Sequence, residues 1–174
     1  LTPGLGTGEY KGCVFTEYPH PNHPSLESLL RRCHAVNAMD PRRAPTILFI
    51  KEGVHEVKHL YIRYPLKIVG AGQEKTIIQG GGIDIRGTKE EGKRVDMQGM
   101  TMRGSSGIGL SASNGLSFLC TRMTFTQCRM YGVIAMNTRG RLINCEVTQC
   151  GYNGIYCGSN ALIELEGDQT KVDG

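Results

Sequence analysis

The 174-residue sequence has no tryptophan, four phenylalanines and an aromatic share of only 6%. It has no Cys-x-x-Cys pair and no Asn-x-Ser/Thr acceptor, since Asn114-Gly-Leu, Asn137-Thr-Arg and Asn144-Cys-Glu all fail that pattern. No apolar run approaches the roughly 18 residues of a membrane span, so no membrane partner is expected. The opening LTPGLGTGEY has neither a basic nor an apolar leader region, so no export signal is read there. The missing initiator methionine is read as the mark of a fragment or a processed form. The most telling absence is internal: between Met97 and Cys145 there is not one Asp or Glu, while Arg103, Arg122, Arg129, Arg139 and Arg141 all fall there. A net charge of +4 is too small to call for a nucleic-acid partner.

What is abundant is glycine, 24 residues, about twice ordinary usage, without the three-residue period of collagen. A single domain rich in tight turns is implied. Seven cysteines, an odd number lying in apolar or alternating segments, read as free thiols, which favours a cytoplasmic or nuclear location. The apolar positions Leu26, Leu29, Leu30, Cys33, Val36 and Met39 follow helical spacing, with Pro24 suited to a first turn and Asp40-Pro41 as the stop. After Pro45 the chain turns to short β-branched and leucine-rich runs, TILFI, HLYIR, LKIVG and TIIQG.

Repeats decide the fold. Gly109-Leu-Ser-Ala aligns with Gly132-Val-Ile-Ala and Gly154-Ile-Tyr-Cys, at spacings of 23 and 22. Met100-Thr-Met falls on Met123-Thr-Phe and Cys145-Glu-Val, Ser105 falls on Cys128 and Cys150, and Asn114, Asn137 and Asn160 recur every 23 residues. Within each unit the alternation has period two, so one face is core and the other solvent. Units too short to bury a face alone must stack. The Asn series reads as a turn in left-handed backbone, its amide bonding the main chain of the next coil. Such units fit a parallel β-helix or a leucine-rich array, but the LxxLxLxxN pattern and a helix in each unit are both missing.

The core LKIVGAGQEKTIIQG, followed by MTMRGSSGIGL, MTFTQCRMYGVIA and CEVTQCGYNGIYC, resembles the right-handed parallel β-helix superfamily, pectin-lyase-like in architecture. More narrowly it resembles the carbohydrate-binding and sugar-hydrolase type repeats. The stretch with the helix and TILFIKEGVHEVKHLYI is similar to the entry segment of intracellular F-box and Shc-binding adaptor proteins. The resemblance runs from Leu26 to Glu166 and implies an all-β fold: a right-handed parallel β-helix of about five coils, with the helix Leu26 to Met39 capping its N-terminal end. Residues 1–44 form the N-terminal loop and capping helix, and 45–174 the β-helix.

Several motifs imitate chemistry. His55-Glu-Val-Lys-His59 spells H-E-x-x-H, but on a strand its imidazoles would stand about 13 Å apart, too far to share a zinc ion. His20-Pro-Asn-His23 lies in a proline-rich loop. Gly70 to Thr76 lacks the glycine directly before Lys75 that a phosphate loop needs, and the strand after it excludes a dinucleotide fingerprint. No metal or cofactor is expected. Glycoside hydrolysis requires two carboxylates about 5 to 10 Å apart, and the central coils supply none.

Two features suit binding. Ile134 and Tyr156 lie on an outward lane with Ser111, and Arg103, Arg122 and Arg141, with Arg129 and Arg139, offer a basic stripe for an acidic protein segment or polyanion. The chain is therefore expected to be a non-enzymatic protein-interaction or scaffolding module. The alternative is a carbohydrate-active or carbohydrate-binding β-helix. No cap is visible after Leu162-Ile-Glu-Leu165, which leaves self-association through the last coil as a further expectation.

Overall fold

The computed structural model describes residues 13–173, so the first twelve residues of segment 1–44 and Gly174 lie outside the described residues. Strand β1 (Phe15–Tyr18) leads into α1 (Leu26–Met39), which spans the bounds expected from its apolar spacing. Only the entry to its first turn differs from expectation. Ser25 is the N-cap, its hydroxyl accepting the Ser28 N–H at 3.1 Å, and Pro24 stands outside the first turn.

From Ile47 onward the chain coils. The first coil holds β2 (Ile47–Ile50), β3 (Gly53–Glu56) and β4 (Leu60–Ile62), and the second β5 (Lys67–Gly70), β6 (Thr76–Gln79) and β7 (Ile83–Ile85). The third holds β8 (Arg94–Arg103) and β9 (Leu110–Ser113), and the fourth β10 (Ser117–Thr126) and β11 (Val133–Met136). The fifth holds β12 (Arg139–Ile143), β13 (Glu146–Thr148) and β14 (Ile155–Gly158); β15 (Leu162–Glu166) and β16 (Lys171–Val172) begin a partial turn beyond it. Successive coils pair in parallel, giving a β-solenoid of about five turns with three faces. Face I runs β1-β2-β5-β8-β10-β12-β15, face III runs β4-β7-β9-β11-β14, and face II runs β3-β6, the second halves of β8 and β10, then β13 and β16.

The alternation read from sequence turns every second residue of each face inside. On face I the lane Leu48, Ile68, Met97, Cys120 and Leu142 is 2% exposed or less throughout. The lanes Ile78, Met102, Phe125, Val147 on face II and Ile62, Ile85, Ala112, Ala135 on face III are equally dry. Burying one such leucine or phenylalanine contributes about 1.5–3 kcal/mol, so each unit depends on its neighbours for most of its stability.

The corners stack as well. Between faces I and II, Gly99, Arg122, Asn144 and Gly167 all hold left-handed backbone, at φ of 69°, 48°, 51° and 90°. A second such line, Gly80, Gly104, Gln127 and Gln149, follows face II. After face III come Asn114 and Asn137, at φ of 51° and 50°. The Asn137 amide donates to Asn114 Oδ1 at 3.1 Å, so this ladder is built from side chain to side chain rather than from amide to main chain. The next rung is Ser159, not Asn160: Met136 pairs with Gly158, 22 residues on, whereas Ser113 pairs with Met136, 23 residues on.

The helix covers the β4 edge of face III, which no strand precedes among the described residues. Leu26, Leu29, Leu30 and Cys33 enter the core, and two side chains satisfy edge amides: Glu27 Oε1 accepts Lys58 N–H at 2.6 Å and His34 Nε2 accepts Arg63 N–H at 3.3 Å. This is the expected N-terminal cap, here with its polar bookkeeping closed by α1.

Candidate binding surface

Face III carries Ser111, Ile134 and Tyr156 in register on its outward lane. Tyr156 is 44% exposed, whereas Ile134 retains 9% because neighbours in the parallel stack close over it. The exposed part of this patch is therefore aromatic. Tyr131, in the turn before β11, places its ring 5.6 Å from Tyr156 and 5.5 Å from Tyr152, which is 63% exposed. The Tyr131–Tyr152 pair is edge-on, at 79°, the arrangement that ring quadrupoles favour. The sequence reading missed Tyr131 and Tyr152; the alignment of Gly132 with Gly154 is the signal, since it sets Tyr131 opposite Asn153, one residue after Tyr152.

The arginines do not form one stripe. Arg103 lies on face II, donating to Gln79 Oε1 at 2.9 Å, while Gln79 in turn donates to Glu56 Oε1 at 2.5 Å. Arg141 lies on face I, 2.5 Å from Glu166 and 3.6 Å from Glu164, and these carboxylates raise its already high pKa. Arg122 occupies the corner between these faces, and Arg139 starts β12. Parallel stacking supplies Arg103 and Arg141 with partners from neighbouring coils, a pairing that one coil's sequence does not display.

A cleft of about 410 Å³ opens on face II. The turn at 71–75 overhangs it, pinned by Thr101 Oγ1 donating to the Gln73 carbonyl at 2.7 Å and by Gln73 Nε2 donating to Thr124 Oγ1 at 2.9 Å. The turn reaches this close because Gly70 has no side chain: a Cβ there would meet the Gly99 carbonyl at 2.4 Å. Glu74 and Glu146 both line the cleft, so a pair of acids does converge, one from the turn and one from the outward lane. The stretch that imitated a phosphate loop is thus the roof of a groove.

His55 Nε2 sits 2.8 Å from the Lys51 carbonyl, on face II, and His59 lies at the start of face III, 4.0 Å from Asp84. His20 and His23 face each other across an antiparallel bridge. Among the described residues no group of three metal-ligating side chains converges. All seven cysteines are free. Burial, with Cys150 beside it, pushes the Cys128 thiol up to about 12, and burial raises those of Cys120 and Cys145.

Among the described residues three core lanes end in Leu165, Val172 and Cys157, all exposed, the first two at 49% and 38%. Among the described residues no strand lies beyond β14, β15 or β16. Among the described residues no helix is long and apolar enough to cross a membrane. A scan against family models and searches of curated proteins and of solved structures return no match.

Proposed function

We propose that the chain is a non-enzymatic protein-interaction module whose docking surface is the Tyr131–Tyr152–Tyr156 corner of face III. The observation that carries this reading is the packed tyrosine trio, in which Tyr152 and Tyr156 are exposed and Tyr131 is half-buried. Tyrosine adds a large apolar contact area with few rotamers to freeze and a hydroxyl to satisfy, which is why it anchors protein interfaces. The rigid solenoid holds the three rings in place before binding, so little ordering remains to oppose association. The likeness to F-box and Shc-binding adaptor β-helices agrees with this role, as does the cytoplasmic or nuclear location that seven free thiols favour.

The test uses the immobilised chain in an extract of its native cells, with bound proteins quantified for wild type, for Tyr152→Ala/Tyr156→Ala and for a control changed at Lys89 and Glu90. A set of proteins depleted at least about fivefold by the tyrosine change, and untouched by the control, is expected. Equal retention by all three forms refutes the reading. The face II cleft favours a second one, a polysaccharide laid over Gln73, Thr101, Thr124 and Glu146. Retardation in polysaccharide affinity gels that Glu146→Gln and Gln73→Ala abolish would support that alternative over the first.

A further inference from the structure

We infer that the pocket between α1 and β4 binds the phosphate group of a phosphorylated side chain on a protein partner, with Arg31 and Arg63 as its clamp. This rests on the protein-binding reading but uses a site on the first coil, apart from the tyrosines.

The pocket follows from two periodicities. Along α1, Glu27, Arg31 and His34 are spaced by four and three residues, so they share one flank of the helix. On β4, Leu60 and Ile62 turn inward and leave Tyr61 outward, 42% exposed, with the His59 ring 4.5 Å from its own. Where that flank passes the strand, Glu27, Leu30, Arg31, His34, His59 and Tyr61 line a pocket of about 190 Å³. A space of this size holds one compact group, not the successive phosphates of a nucleic acid. Arg63 joins it at the rim, its guanidinium carbon 5.4 Å from the Tyr61 ring centroid.

The charge balance of this corner favours an anion. Arg31 and Arg63 are both exposed, and among the described residues neither has a carboxylate within ion-pair distance. Between them α1 and β4 contain one acid, Glu27, and its Oε1 is taken by the Lys58 N–H at 2.6 Å. The next acid along face III, Asp84, is held by Arg86 at 2.9 Å. Two guanidiniums from different elements present two planar forks of donors, each matched to an oxyanion. A carboxylate satisfies only one such fork. A phosphomonoester, with three acceptor oxygens and a charge of about −1.5 to −2, engages both and outweighs Glu27. Leu30 and Tyr61 supply an apolar floor for the carbon part of the phosphorylated side chain.

The experiment titrates the whole chain into labelled degenerate peptide pools centred on phosphoserine, phosphothreonine or phosphotyrosine, and into their unphosphorylated counterparts, and reads fluorescence anisotropy. Saturable binding of at least one phosphorylated pool is expected, at least about tenfold tighter than its counterpart. Arg31→Gln/Arg63→Gln should weaken it at least about tenfold, whereas Arg129→Gln/Arg139→Gln, which removes the same charge elsewhere, should change it less than about twofold. All four side chains are exposed, so an unchanged thermal midpoint shows that each variant folds. Failure of all three phosphorylated pools, binding that ignores the phosphate, or equal loss in the two variants overturns the inference. So does inorganic phosphate, a single-stranded oligonucleotide or a phosphatidylserine vesicle that binds through Arg31 and Arg63 while every peptide pool fails. Tyr152→Ala/Tyr156→Ala should leave the phosphopeptide affinity unchanged, which separates failure of this inference from failure of the tyrosine reading.

Discussion

Single residues set how closely the coils approach. On face I, Val95, Phe118, Gly140 and Ile163 occupy one inward lane, and the Phe118 ring lies over Gly140, so that a Cβ there would stand 2.1 Å from Phe118 Cζ. The large side chain of one coil is accommodated by the missing side chain of the next. Gly140→Ala should therefore destabilise the chain by about 1–3 kcal/mol through overpacking, lowering the thermal midpoint by about 2–4 °C per kcal/mol. Combining it with Phe118→Leu should recover part of the loss. A midpoint for Gly140→Ala equal to wild type, followed by circular dichroism, would show that the ring can yield. The same scale explains the corners: asparagine tolerates left-handed backbone better than most residues, and at 114 and 137 its amide adds a bond to the next coil.

Among the elements, α1 is the one whose attachment depends on pH. His34 Nε2 accepts the Arg63 N–H, which it can do only while unprotonated. Burial, and secondarily the Arg63 charge, lower the His34 pKa from 6.5. The unfolded chain thus takes up a proton near pH 6.5 and the folded chain only at lower pH, so stability is full above that value and falls as the pH drops through it. Protection of the Arg63 amide, with exchange corrected for the slower intrinsic rate at lower pH, should fall between pH 7 and 5, and His34→Gln should remove most of that dependence. An equal fall in the variant would assign the effect to another group. The helix was legible to the residue because its apolar spacing is local. So were the third to fifth coils, whose repeats run at 22 and 23. The first two coils hid their register, since Lys67 pairs with Asp96 across 29 residues and Ile47 with Lys67 across 20. The turn at 71–75 gave no sign of overhanging face II, because the hydroxyls that pin it, Thr101 and Thr124, come from the next two coils.

Among the described residues the stack is polar along its axis: α1 closes one end, and three core lanes end uncovered at the other. Stability in a stack is nearly a sum of units and their interfaces, so opening should begin where an interface is missing. Native-state hydrogen exchange is expected to be fastest in β14, β15 and β16 and slowest in β8 and β10, and a uniform rate across the five coils would contradict this. The second coil has a different consequence. Its step along face III, from Ile83 to Leu110, is four residues longer than the step from Leu60 to Ile83, yet Ile83, Asp84 and Ile85 stay in register with Leu110, Ser111 and Ala112. The surplus leaves the stack sideways at 87–93, where 89–92 are exposed around a Lys93–Glu90 ion pair. Length can thus be gained at a corner without altering the fold. A lineage built on this plan can acquire appendages coil by coil, and new recognition can evolve on a scaffold that never has to relearn how to fold.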